Sequence, residues 1–189
     1  MESASRQPRA RLQRHPERAV PEEAAAFLAA GLVAHVAFVQ NGQPFVIPMA
    51  YHYDVAAPRM LYLHGSPGSR LLHHLGGGAP VAIGVTLVDG LVYSRTALYH
   101  SVNYRSVVCF ARGAPRLDRS QTTAVLEAMI ARYFPGRRAG RDYDEPLPRD
   151  IDGTSVIAQR STSGARRHGA AARQDHATTN QMRLAPRAS

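Results

Sequence analysis

The chain has 189 residues, 44% of them hydrophobic, and a net charge of +9, which suits one domain with a real core and basic tails. All 23 basic residues are arginine, which excludes a Schiff-base lysine and a GK[ST] nucleotide loop. The single Cys109 excludes an internal disulfide framework, and no apolar run nears the ~20 residues of a membrane span.

Taken in order, residues 1–19 have no hydrophobic period and read as a basic arm. Pro21-Glu22-Glu23 opens a helix, because proline fits the first turn and acids suit its positive end. The helix runs through Ala24–Ala30 and stops at Gly31. A strand over Leu32–Val39 meets Asn41-Gly42, a strong hairpin signal. The return strand is Pro44–Tyr53, and Pro48 inside it predicts a bulge or a sheet edge.

Leu61–Leu63 ends a further strand. The loop Gly65-Ser66-Pro67-Gly68-Ser69 follows and closes on Arg70, and Leu71, Leu72 and Leu75 then take helical spacing. Glycines admit backbone N–H groups to an oxyanion, serines add hydroxyls, and an arginine can fork onto phosphate. An ordinary strand-to-helix turn uses the same small residues. After Gly76-Gly77-Gly78 the alternation of Val81, Ile83, Val85 and Leu87 predicts a strand. Asp89-Gly90 predicts a tight hairpin with Leu91–Tyr99 returning, and Asn103–Gly113 is another strand. Asp118 caps a helix over Thr122–Phe134, ended by Pro135-Gly136. At least six short strands and few helices predict a mainly β fold, an antiparallel barrel with flanking helices.

The charge is uneven. The first twenty residues carry five arginines against two glutamates, and residues 157–189 carry six arginines against one aspartate. The middle is nearly neutral. Basic ends can hold nucleic acid non-specifically, but without interleaved aromatics they read as solvated tails, and specific nucleic-acid binding is not expected. Cys109 lies in the apolar run Val107–Phe110 and reads as a buried inert thiol. With no secretory signal, a single thiol fits a reducing cytoplasm. His64, His73, His74 and His100 show no HxH, HExxH or Cys/His spacing, so no metal site is expected. His35 and His52 sit in strands and read as satisfied core groups.

GQPFVIPMAYHYD, LYLHGSPGSR and VTLVDGLVYSRTALYHSVNYRSVVCF, in that order, resemble the pyridoxamine 5'-phosphate oxidase-like superfamily and, within it, the flavin-nucleotide-binding, nitroimidazole-reductase-like branch. The resemblance covers about 9–156. It implies a split β-barrel that dimerises and holds FMN at the dimer interface, with a deazaflavin or haem as the alternative cofactors. By motif position it places the phosphate loop on His64, Gly65, Ser66, Ser69 and Arg70. The strand along the flavin falls on Pro48, Met49, Ala50 and Tyr51, and the oxidases' RQV segment on Arg105, Ser106 and Val107, with Asn103 and Tyr104 before it.

The true oxidases differ at several of these places. They carry a lysine where this chain has Leu71, basic residues near Val46 and Tyr51, a glutamine at Ser106, and a C-terminal tryptophan where this chain has none. These departures point away from vitamin B6 oxidation and leave FMN. The resemblance implies a flavin-dependent oxidoreductase of a small molecule, with NADH or NADPH as reductant. A non-catalytic flavin carrier or sensor is the alternative. No catalytic residue is assigned; Tyr51, His64 and Tyr104 are the nearest titratable groups.

The expected organisation is therefore an arm over 1–19, a split-barrel domain over 20–156 and a tail over 157–189. Gly153–Ala158 starts as a strand. The pattern then dissolves into an arginine- and alanine-rich run without aromatics, which predicts disorder and suggests a shifted reading frame near Ile157.

Overall fold

The computed structural model describes residues 18–161 and 170–174. A 3-10 turn over Pro21–Glu23 leads into helix α1, Ala24–Ala30, which stops at Gly31 in extended backbone. Strand β1, Val33–Gln40, and strand β2, Gln43–Tyr53, form the expected hairpin, and Asn41 and Gly42 take φ of 52° and 78°. Both values lie in the left-handed region that a tight two-residue turn requires.

β2 pairs with β1 without a shift from Gln43 to Ala50, so Pro48 introduces no bulge. The other half of that expectation holds. β2 meets strand β3, Met60–Gly65, only over Tyr51–Tyr53, and no other described strand pairs with it. Proline sits where its missing N–H leaves nothing unpaired.

Helix α2, Arg70–Gly76, follows β3 and buries Leu71, Leu72 and Leu75 completely. It rests on the long strand β5, Ser101–Arg116, at Gly113, where any Cβ would collide with the backbone carbonyl of Leu75. Strand β4, Pro80–Val92, corrects one expectation. The chain does not turn at Asp89-Gly90; β4 runs through it, pairing Gly90 with Asn103 and Val92 with Ser101. The ladder shifts register between Val88 and Gly90, so Asp89 is the extra residue of a bulge. The reversal comes later, around a 3-10 turn at Ala97–Tyr99.

Helix α3, Arg119–Tyr133, starts with a full capping box: Asp118 accepts from the Gln121 amide at 2.8 Å, and the Gln121 side chain accepts from the Asp118 amide at 3.2 Å. Helix α4, Pro148–Asp152, leads into strand β6, Ser155–Ser161. The ring of strands is β4-β1-β2-β3-β6-β5, closed by β5 on β4, and strand β7, Ala170–Gln174, adds to β5. Six antiparallel strands in a ring with flanking helices make the expected split barrel.

Structure also continues past the expected domain limit. β6 carries Ile157, Ala158 and Gln159 buried, pairs with β3 and β5, and ends at Ser161. Ser155 to Gln159 are all buried, as in a strand with both faces covered, so regular structure runs past residue 157, and β7 lies inside the span expected to be disordered. The rest of the expected tail, 162–169 and 175–189, lies outside the described residues, as does the arm up to residue 17.

The barrel interior is filled by Ala34, Val36, Phe38, Tyr51, Leu63, Ile83, Val85, Val107 and Ile157. Val156 and Ala158 face the other way and are also buried.

Candidate functional site

The Gly/Ser loop lies where the sequence places it. Ser69 donates its amide to the Ser66 carbonyl at 2.9 Å, and the His73 amide returns to Ser69 at 3.0 Å, which joins the loop to α2. Arg116 donates to the Pro67 carbonyl at 2.8 Å. Arg70 is exposed, and its guanidinium lies 4.7 Å from the centre of the Phe45 ring. Among the described residues no carboxylate pairs with Arg70. With no described carboxylate on it, its charge can meet an incoming anion, and the aromatic face holds the fork in place. A Cβ on Gly65 would lie 3.7 Å from Met49 Cε, so the loop and β2 touch.

The strand that the resemblance lays along a flavin, β2, splits by parity. Pro48 and Ala50 point outward and are exposed, and Met49 is half-buried against the core. Tyr51 is fully buried. Its hydroxyl donates to the Leu28 carbonyl at 2.6 Å, and desolvation, the largest influence on it, pushes its pKa up to about 12. Its backbone is occupied as well: the amide donates to the Tyr133 hydroxyl at 3.1 Å and the carbonyl accepts from Arg132 at 2.7 Å. Tyr51 belongs to the core and is withdrawn as a proton donor to a surface ligand.

Arg105 stands apart from Arg70. It grips Asp89 by three contacts of 2.7–3.1 Å, and that hydrogen bonding raises its already high pKa. Arg105 pairs with Leu87, two residues beyond the Val85–Ala34 pair, whereas Arg70 covers Phe45 opposite Phe38. About six strand residues, roughly 20 Å, separate those levels. One phosphate is therefore not shared by both arginines within one protomer. Tyr104 and Ser106 lie opposite Val88 and Thr86, and Asn103 opposite Gly90 beside the bulge.

His64 is half-buried, its Nδ1 has no partner among the described residues, and burial lowers its pKa. It is a neutral imidazole at pH 7 with an unused ring nitrogen, beside Gly65 of the loop. His52 behaves alike, its pKa lowered first by burial and then by Arg132, with an unpartnered Nδ1. His74 packs 4.6 Å from Phe38. Burial pushes the Cys109 thiol up to about 11, as an inert thiol requires. Among the described residues no three His, Cys, Asp or Glu side chains converge as a metal site would need.

Two features escaped the sequence reading. His35 is not a core group; it points outward and is exposed. Around it lies an uncharged surface made of Val33, Ala37 and Val39 on β1, Val46, Pro48 and Ala50 on β2, and Ala82, Gly84 and Thr86 on β4. Val46 is 63% exposed and Val39 58%. The β4–β5 hairpin then projects Leu91, Tyr93, Leu98 and Tyr99, all exposed. The period-two alternation already held this signal, since both parities of β1 and β2 are largely apolar.

Residues 21–167 match the family described as pyridoxamine 5'-phosphate oxidase. The chain belongs to that family. Among solved structures, the FAD and haem binding protein from Mycobacterium smegmatis is similar at 25% identity, with 84% of this chain and 74% of that one covered and a TM-score of 0.71. The flavocytochrome Anf3 from Azotobacter vinelandii is similar at 25% identity over 90% of this chain and 75% of that one, TM-score 0.73. A candidate 5-nitroimidazole antibiotic resistance protein from Bacteroides thetaiotaomicron shares the fold at 18% identity over 82% and 87%, TM-score 0.60. No curated protein sequence matches the chain. No described helix is long and apolar enough to cross a membrane.

Proposed function

We propose that this chain binds a flavin nucleotide, FMN first among them, and serves a two-copy oxidoreductase acting on a small molecule. The observation that carries the reading is Arg70: an exposed arginine, unpaired with any described carboxylate, held on Phe45 at the close of a Gly/Ser loop and beside an uncharged sheet edge. A flavin nucleotide needs a cation for its phosphate and a flat apolar wall for its ring. Arg70, Ser66 and Ser69 would hold the phosphate, and Pro48 and Ala50 would supply wall. When bound, a flavin supplies hydride and single-electron transfer. His64 offers the loop a neutral acceptor or donor at pH 7. The kinship with FAD- and haem-binding proteins supports a redox cofactor without choosing among FMN, FAD, deazaflavin and haem.

Two copies fit the bare face. Eight residues of β1 run about 26 Å, and four strands about 4.8 Å apart span roughly 14–19 Å, so the face offers on the order of 400–500 Å². The exposed hairpin residues extend it toward the ~800 Å² a stable partner usually contributes. An uncharged face sets no like charges against each other when two copies meet about a two-fold axis.

The absorbance spectrum of the purified protein, before and after adding FMN, tests the cofactor. A flavin spectrum is expected, and bleaching by NADH or NADPH separates an oxidoreductase from a carrier. Arg70→Ala should weaken FMN binding about tenfold or more. Equal affinity in the variant would show the phosphate lies elsewhere.

A further inference from the structure

The bare face has an ionisable side chain near its centre. His35 lies directly opposite Pro48 on one neighbour and opposite Gly84 on the other, and Gly84 in turn faces Val108. The next row of outward residues is Val46, Ala37, Ala82 and Phe110. No outward residue of β1, of β2 from Pro44 to Ala50, or of β4 from Pro80 to Val88 is ionisable apart from His35.

Among the described residues, the groups that could answer a charge on His35 are few and placed away from it. On β5 the outward titratable residues are Tyr104, opposite Val88, and Arg112, which pairs with Pro80 and donates to the Gly78 carbonyl at 3.0 Å. Asp89 is engaged with Arg105, and Glu23 acts on that same arginine. Neither arginine nor tyrosine can neutralise an imidazolium. In a lone protomer His35 is exposed, so water solvates either protonation state. Against a second copy the ring would leave water for an apolar surface with no carboxylate among the described residues, and the second copy brings the same set of groups.

We propose that His35 makes the pairing of two copies through this face pH-sensitive, the pair holding above neutrality and separating in mild acid. The inference rests on the two-copy reading above. Its sign follows from linkage: the pair favours the neutral ring, so pairing releases protons and weakens as pH falls through the imidazole's range.

Sedimentation of the full chain without cofactor, from pH 8 to pH 5.5 at fixed ionic strength, tests it. The dissociation constant of the pair should rise at least tenfold over that span, a cost of one pK unit or more per pair. His35→Phe and, independently, His35→Gln should flatten the dependence, and His35→Arg should keep the chain monomeric at both ends. A parent pair equally tight at pH 8 and pH 5.5 would overturn the proposal and leave the two-copy reading standing. Persistent pH dependence in His35→Phe and His35→Gln would also overturn it, by moving the effect to another group. A chain monomeric at every pH would remove the two-copy reading and this inference together.

Discussion

The outside of this barrel has two halves of opposite character. Over the end of β2 and over β6, α3 is pinned down. Arg132 donates to the carbonyls of Leu28, Ala29 and Gly31 at the end of α1 and to Tyr51 on β2. Its guanidinium also stacks 4.8 Å from the Tyr51 ring and 5.2 Å from that of Tyr133. The Tyr133 hydroxyl reaches the Leu32 and Tyr51 carbonyls. Beneath, Val156, Ala158 and Met129 are buried. Across β1, the first part of β2 and β4, equally apolar strands carry no described cover. Similar strand sequences thus meet different fates, because one side has a helix whose polar end can satisfy stray carbonyls and the other has none among the described residues.

Removing the pin should break this contrast most strongly. Arg132→Ala leaves carbonyls from two elements without their shared charged donor, and a loss of about 3 kcal/mol is expected in urea unfolding. Arg132→Lys should recover only part of it, since a point charge cannot serve four carbonyls at once. A loss near zero would mean that the apolar contacts of α3 suffice.

Gln159 tests the interior between these two halves, since it shares the inward parity of Ile157 on β6. It is 1% exposed, and neither amide atom has a partner among the described residues. Gln159→Leu should raise stability by about 1 kcal/mol, because an unsatisfied buried amide costs more than the aliphatic side chain that replaces it. Destabilisation instead would reveal a water or ligand held by that amide.

The smallest effect on the folded protomer is expected on the bare side. Val46→Asp should change stability by less than about 1 kcal/mol, since the side chain is already in water. The same variant should abolish pairing in sedimentation, because it sets a carboxylate in the apolar face. A variant that still pairs would place the contact elsewhere.

Much of this was legible from residues alone. Asn41-Gly42 fixed one hairpin, Asp118 and Gln121 announced the start of α3, and the spacing of Leu71, Leu72 and Leu75 gave the buried face of α2. These are local effects, decided by backbone conformation and period within a few residues. Asp89-Gly90 shows the limit: its turn propensity was overridden because β5 supplies a longer ladder, with Asp89 drawn to Arg105 as the bulge residue. For the candidate site, the loop from Gly65 to Arg70 stood in the sequence as a contiguous motif. What the sequence did not contain was direction. Tyr51 and Pro48 are three residues apart, yet one is locked in the core and the other lies on the surface. His35 looked like a core histidine until the sheet turned it outward, and only the register shows that Arg70 and Arg105 stand at different levels of the barrel. Local chemistry names which groups are present; only the closed ring of strands decides which face each occupies, because one residue along a strand reverses the side.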